Sequence, residues 1–132
     1  MGVKLGFSIG YNVFGYGLLI PHYGTIVVND SCNIGNFCVL HTSICIGGGG
    51  KIIGDGFYVG SGAKIMRPIR IGNGVSVASQ SLVNKDCLEN NVLLAGIPAE
   101  IKNKSLIWYE RDGTLYSNRV KRVLDLKKKY NL

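Results

Sequence analysis

The residues best able to do acid–base or nucleophilic chemistry near neutral pH are two histidines, His22 and His41, and four cysteines, Cys32, Cys38, Cys45 and Cys87. His22 sits in the stretch LIPHYGTIVV, behind Pro21 and ahead of an apolar run. An imidazole with an ordinary pKa of about 6.5 can take a proton from a hydroxyl at neutral pH. A cysteine thiolate could act as a nucleophile instead, but no basic residue stands obviously beside Cys45, the one cysteine expected to face outward. Either histidine could equally be a packing or surface residue. The cysteine spacing, without clustered histidines, does not suggest a zinc site.

The elements that would position these residues follow from a period of six. Val28, Ile34, Leu40 and Ile46, then after a shift of one residue Ile53, Val59, Ile65, Ile71, Val77 and Val83, are all branched aliphatics. The positions that follow are often Gly or Asn, which tolerate corner geometry. The fourth positions on are mostly small or apolar, as inward sites require. An amphipathic helix repeats at 3.6 and a lone strand at 2, so neither explains the pattern. It resembles the hexapeptide repeat of left-handed parallel β-helices, over roughly residues 5 to 103, with three hexapeptides per coil. The expected fold is all-β, a left-handed parallel β-helix with a C-terminal hairpin and a short α-helix.

This coil places Cys32 and Cys87 in one column, with Gly50 and Ile69 between them. At about 4.8 Å per coil they lie roughly 14 Å apart, too far for a disulfide. Four reduced thiols suit a cytoplasmic protein. The segment Ile46–Ile53 spends seven residues where six are expected, in the sequence IGGGGKI. Its glycines either admit a bulky ligand to the backbone or form a bulge that restores phase.

The repeat gives two regions: residues 1–103 as the β-helix, and 104–132 as an extension packed on the helix end or on a neighbouring subunit. Asp112-Gly113 suggests a hairpin over 107–116, with Trp108, Tyr109, Leu115 and Tyr116 over the last coil, covering its edge strands. Residues 117–130 read as a helix capped by Ser117, with Val120, Val123, Leu124, Leu126 and Tyr130 inward. Hydrophobic residues make up 46% of the chain and charged ones 17%, which excludes a disordered chain. No apolar run is long enough for a membrane span, and MGVKLGFSIG is unlike a secretory signal. The formal charge is +7, and Arg111, Arg119, Lys121, Arg122, Lys127, Lys128 and Lys129 contribute to it near the C-terminus. No aromatic–basic platform accompanies them, so a nucleic-acid partner is not expected.

IPHYGTIVV, IGNFCVLHTSICIGGGGK, GFYVGSGAKIMRPIRIGNGVSVASQSLVNKD and AGIPAEI together resemble the catalytic domain of serine O-acetyltransferases and their short relatives from polysaccharide gene clusters. The resemblance implies an acetyl-CoA-dependent O-acetyltransferase, a homotrimer with active sites between subunits, and His22 as catalytic base. His41 is a second catalytic candidate, able to bind the acceptor or stabilise charge. Gly47, Gly60, Ser61, Ala78 and Ser79 are the implied coenzyme corners, and Lys51, Arg67, Arg70 and Lys85 the implied phosphate partners. The expected acceptor is a sugar or polysaccharide precursor; L-serine is the alternative, and a non-catalytic trimeric CoA-binding or scaffold protein the other. Two departures matter. Ser8 stands where the family has an aspartate partner for its histidine, and the loop carrying the second histidine of serine acetyltransferases is missing after Lys51.

Overall fold

A computed structural model describes residues 5–132. The six-residue step becomes three sheets wound around one apolar core, parallel throughout except for an antiparallel last strand at the edge of one. With strands numbered in chain order, one sheet comprises β1 (Phe7–Ser8), β2 (Ile26–Val28), β5 (Ile44–Ile46), β8 (Lys64–Ile65) and β11 (Leu82–Val83). The second holds β3 (Asn33–Ile34), β6 (Ile52–Ile53) and β9 (Arg70–Ile71). The third runs β4 (Val39–Leu40), β7 (Tyr58–Val59), β10 (Ser76–Val77), β12 (Val92–Gly96) and β13 (Ala99–Lys104). Strands this short cannot stand alone. Inner strands are held by parallel partners one coil before and after, as in other solenoids. The result is a parallel β-helix with a helical C-terminal extension.

All ten aliphatics of the period point inward, and none is more than 4% exposed. They stack in columns, Val28–Ile46–Ile65–Val83 on one face and Leu40–Val59–Val77–Leu94 on another. The corners are tied by side chains as well as backbone. Asn36, Asp55, Asn73 and Asn90 form a ladder along one corner. Each carboxyl or amide oxygen accepts the backbone N–H of the coil below at 2.8–3.0 Å, starting from Tyr16. These bonds satisfy amides that a tight corner would otherwise leave without a partner.

The seven-residue step falls where the sequence puts it, but its inward residue is Lys51, not Gly50. Asn33 pairs with Ile52 and Ile52 with Arg70, so the column reads Cys32–Lys51–Ile69. Lys51 is 2% exposed. Its ammonium donates to the carbonyls of Gly47 and Gly49, the latter at 2.9 Å. The glycine loop therefore wraps the chain's own cation. Gly48 must take a left-handed φ of 76°, and a Cβ there would lie 2.8 Å from the Arg67 nitrogen. Burial pulls the Lys51 pKa down, against the neighbouring Cys32 and Cys45 thiols, which pull it up. Cys87 bridges Ile71 and so belongs to the column next to that of Cys32. All four cysteines are free thiols.

The C-terminal region differs most from expectation. The hairpin is β12–β13, closed at Ile97-Pro98, and not the segment around Asp112-Gly113. Residues 107–116 instead hold a single helical turn, α1 (Trp108–Arg111), and the start of α2 (Thr114–Lys129). Asp112 closes α1 and Gly113, at φ 118°, opens α2. That positive φ is where the glycine is needed, as a break between helices. Ser117 lies inside α2, with its hydroxyl donating to the Thr114 carbonyl at 3.2 Å, and does not cap it. The arm also packs against the side of the prism, not over its last coil. Trp108 inserts among Phe37, Val39, Tyr16, Tyr58, Tyr109 and Tyr116. Of the five side chains expected inward from α2, Val120 alone is buried; Val123, Leu124, Leu126 and Tyr130 are exposed, as is Leu115. Among the described residues no helix is long and apolar enough to cross a membrane.

Candidate active site

His22 lies in the exposed bend between Leu19 and β2, and His41 in the turn between β4 and β5. Leu40 N–H donates to Leu19 O at 3.0 Å and Ile44 N–H to Thr25 O at 3.2 Å. Those bonds stack the two turns, so the histidines occupy one corner of the prism, one coil apart. Their charges interact: His22 helps to lower the His41 pKa, after burial, which is the larger cause, and against Asp112, which raises it. His41 is therefore held toward its neutral form.

A cleft of about 330 Å³ opens beside His41. Its lining includes Gly60, Ser61, Ala78 and Ser79, four of the five small-residue corners singled out from the sequence. They converge because Gly60 and Ala78 follow the inward residues Val59 and Val77 on successive coils. Gly60 is required by the stacking itself: a Cβ there would lie 2.7 Å from Ser79 N and 2.8 Å from Ser79 Oγ. The amides of Gly60 and Ala78 already donate to Val77 and Leu94 carbonyls at 2.9 Å. What the cleft offers a ligand is accordingly the Ser61 and Ser79 side chains and open space, more than free corner amides.

Gly47 and Lys85 are not in this cleft. Gly47 stands at another corner, close to Cys45 and Met66, and its N–H donates to Ile65 O at 2.9 Å. Lys85 pairs with Glu100 at 3.6 Å and borders a smaller hollow of about 170 Å³ with Cys87 and Ala99. Arg67 and Arg70 are exposed, and Lys51 is consumed by its own loop and cannot reach out to a phosphate. Burial raises the Cys32, Cys38 and Cys87 thiol pKa values, which leaves three of the four cysteines poorly suited to nucleophilic work.

Three polar residues of the cleft were not anticipated: Tyr58, Ser76 and Arg111. Tyr58 hydroxyl lies 2.9 Å from His41 Nε2, and the two rings meet edge to face with centroids 5.2 Å apart. The Arg111 guanidinium sits over the Tyr58 ring, 4.7 Å from its centroid. Arg111 Nη1 donates to Ser76 Oγ at 2.9 Å, and its Nε donates to Asp112 Oδ1 at 2.7 Å. Ser76 and Tyr58 are outward neighbours on adjacent strands, and the arm that reaches them comes from the far end of the chain. An aromatic at an outward repeat position, immediately before inward Val59, was the sequence signal available for Tyr58. Arg111 gave none.

No family model matches the chain. It is 33% identical over 97 residues to the serine acetyltransferase of Escherichia coli K12, a match covering 68% of this chain and 35% of that protein. The chain spans about a third to two fifths of the length of the curated relatives it matches, 40% in the case of the Synechococcus elongatus serine acetyltransferase. Among solved structures, Neisseria gonorrhoeae serine acetyltransferase superposes with a TM-score of 0.65 at 29% identity, covering 76% of this chain and 41% of that one. Brucella abortus serine acetyltransferase in complex with coenzyme A does so with a TM-score of 0.60 at 26% identity, covering 70% and 40%. The six-residue period, the parallel β-helix and these likenesses together show that the chain belongs to the hexapeptide-repeat acyltransferases.

Proposed function

We propose that this protein is an acetyl-CoA-dependent O-acetyltransferase that acetylates a hydroxyl of a sugar or polysaccharide precursor. The observation that carries the proposal is a small-residue cleft lined by His41, with His22 near enough to interact with His41 at the same corner of the prism. A cleft of about 330 Å³ suits a slender arm such as pantetheine better than a whole coenzyme. A second copy of the chain would complete the groove, and we take the working unit to be a homotrimer with sites between subunits. The relative with coenzyme A bound supports the choice of donor.

His22 takes the acceptor hydroxyl proton. The oxygen attacks the acetyl carbonyl, whose π electrons move onto oxygen. As the carbonyl re-forms, the carbon–sulfur bond breaks and the departing thiolate receives the proton from His22. Ser8 cannot supply an anionic partner for the imidazolium, so a backbone carbonyl or a residue of the neighbouring subunit would have to orient His22. L-serine as acceptor is the second reading, favoured by the likeness to serine acetyltransferases. The missing loop after Lys51 weighs against it.

The test is acetyl transfer from acetyl-CoA to nucleotide sugars, glycans and L-serine by wild type, His22→Asn and His41→Asn. Loss of the general base is expected to cost about 100- to 10,000-fold in rate with coenzyme affinity little changed. Wild-type rates in His22→Asn would refute the assigned base, and efficient turnover of L-serine alone would refute the sugar acceptor. Coenzyme binding without transfer to any acceptor would favour a non-catalytic CoA-binding role. Light scattering at three times 14.3 kDa supports the shared groove, and a stable monomer sinks it.

A further inference from the structure

We propose that Tyr58, held by Arg111 of the C-terminal arm, is a positioning residue that keeps His41 as a neutral, Nδ1-protonated hydrogen-bond donor beside the base His22. The inference rests on the functional reading above and adds a division of labour between the two histidines. Its starting point is the hydrogen bond between Tyr58 and His41 Nε2 at 2.9 Å. Among the described residues the Tyr58 hydroxyl has one hydrogen-bond partner, that nitrogen. The phenol keeps its proton at neutral pH, because burial, Asp112 and Tyr116 raise its pKa and Arg111 alone opposes them. That O–H is able to donate to Nε2, and in the proposed pairing Nε2 is the acceptor. A neutral imidazole whose Nε2 accepts carries its proton on Nδ1.

The phenol is fixed in turn. Its ring lies under the Arg111 guanidinium, and that guanidinium is itself gripped by Asp112 and by the buried Ser76. The groups bearing charge or protons around His41 are thus His22, Tyr58, Arg111, Asp112 and, behind Tyr58, Tyr116. A donated hydrogen bond to Nε2 stabilises the neutral ring against the imidazolium.

Neutrality at His41 serves the base. When His22 takes the acceptor proton it becomes a cation. A second cation one coil away would oppose that step, because like charges at short range disfavour each other. A neutral His41 does not oppose it, and its Nδ1–H can donate to the oxyanion that forms when the acetyl carbonyl is attacked.

The experiment is long-range ¹H–¹⁵N NMR of the histidine side chains across a pH titration, in wild type, Tyr58→Phe and Arg111→Gln. It needs no acceptor. Wild-type His41 is expected to show the Nδ1–H tautomer, and Tyr58→Phe a mixture of tautomers with a higher His41 pKa. Arg111→Gln is expected to shift the same signals in the same direction by less. An Nε2–H tautomer in wild type, or unchanged His41 signals in Tyr58→Phe, overturns the proposal. In acetyl-transfer assays Tyr58→Phe should lower kcat about fivefold to tenfold at pH 6, with less loss at pH 8 and KM for acetyl-CoA within about twofold. A loss that is the same at both pH values indicates general structural damage and overturns the positioning role. Absence of transfer by wild type, with the Nδ1–H tautomer present, refutes the acetyltransferase reading and not the Tyr58–His41 pairing.

Discussion

Replacing Trp108 by alanine is expected to release the C-terminal arm while leaving the prism folded. The indole is 5% exposed and its Nε1–H donates to Phe37 O at 2.7 Å. Its ring also meets Tyr109 and Tyr116 at centroid distances of 5.5 and 5.4 Å. A tryptophan side chain buries roughly 150–250 Å², which at about 25 cal/mol per Å² corresponds to about 4–6 kcal/mol. Alanine keeps a little of this, so the expected cost is about 3–5 kcal/mol. Trp108→Phe retains most of the packing and loses the hydrogen bond, for an expected cost of about 1–2 kcal/mol. The other contacts of the arm are the buried Val120, Tyr109 edge-on to Phe37 at 5.9 Å, and the more exposed Ile107 over Gly56 and Gly74, Arg111 bonds and Lys127 over Tyr16 at 4.1 Å. Exposed contacts of this kind contribute little. Hydrogen-exchange mass spectrometry should show residues 114–129 losing protection in Trp108→Ala while residues 26–83 keep theirs, with urea unfolding reporting the energies. If alanine costs less than about 1 kcal/mol, or the α2 amides stay protected, the indole is not what anchors the arm.

Lys51→Met should lower stability by about 2–4 kcal/mol, because it leaves the Gly47 and Gly49 carbonyls without their donor inside the loop. Urea midpoints measure this; unchanged stability with a raised KM for acetyl-CoA would instead make Lys51 a coenzyme contact. The His41 pKa is lowered on folding, so between its folded value and about 6.5 the unfolded chain binds more protons. Its contribution is level above about pH 6.5 and falls as the pH drops through that window. Wild type should therefore lose more stability between pH 7.5 and 5.5 than His41→Asn, and equal losses would refute the assignment.

The repeat was legible because an inward column leaves a chemical signature at every sixth residue, and all ten aliphatics obey it. The phase slip at Ile46–Ile53 was visible as well. Its inward residue was not, because a buried lysine violates the rule by which inward positions are recognised, and only the converging loop carbonyls make it tolerable. Asp112-Gly113 was a real break in the chain but joined two helices instead of two strands; a dipeptide specifies a turn and not what flanks it. Ile97-Pro98 held the actual hairpin. His41, Gly60, Ser61, Ala78 and Ser79 came together because the period itself stacks them. Tyr58 and Arg111 escaped notice because their meeting depends on where the arm docks, and that is decided by Trp108 finding Phe37 across 71 positions.

The docking of the arm has a consequence for how the molecule comes apart. In a solenoid each rung touches only its neighbours, so stability is close to a sum of local terms and unravelling can start at either end and spread rung by rung. Here one short segment grips three successive rungs of the same face at once: Phe37 through Trp108, Tyr58 and Ser76 through Arg111. Fraying any one of them strains its bond to a segment that the other two hold in place. The strap thus adds a long-range coupling to an otherwise nearest-neighbour chain. The rungs it couples are those that carry His41 and its cleft.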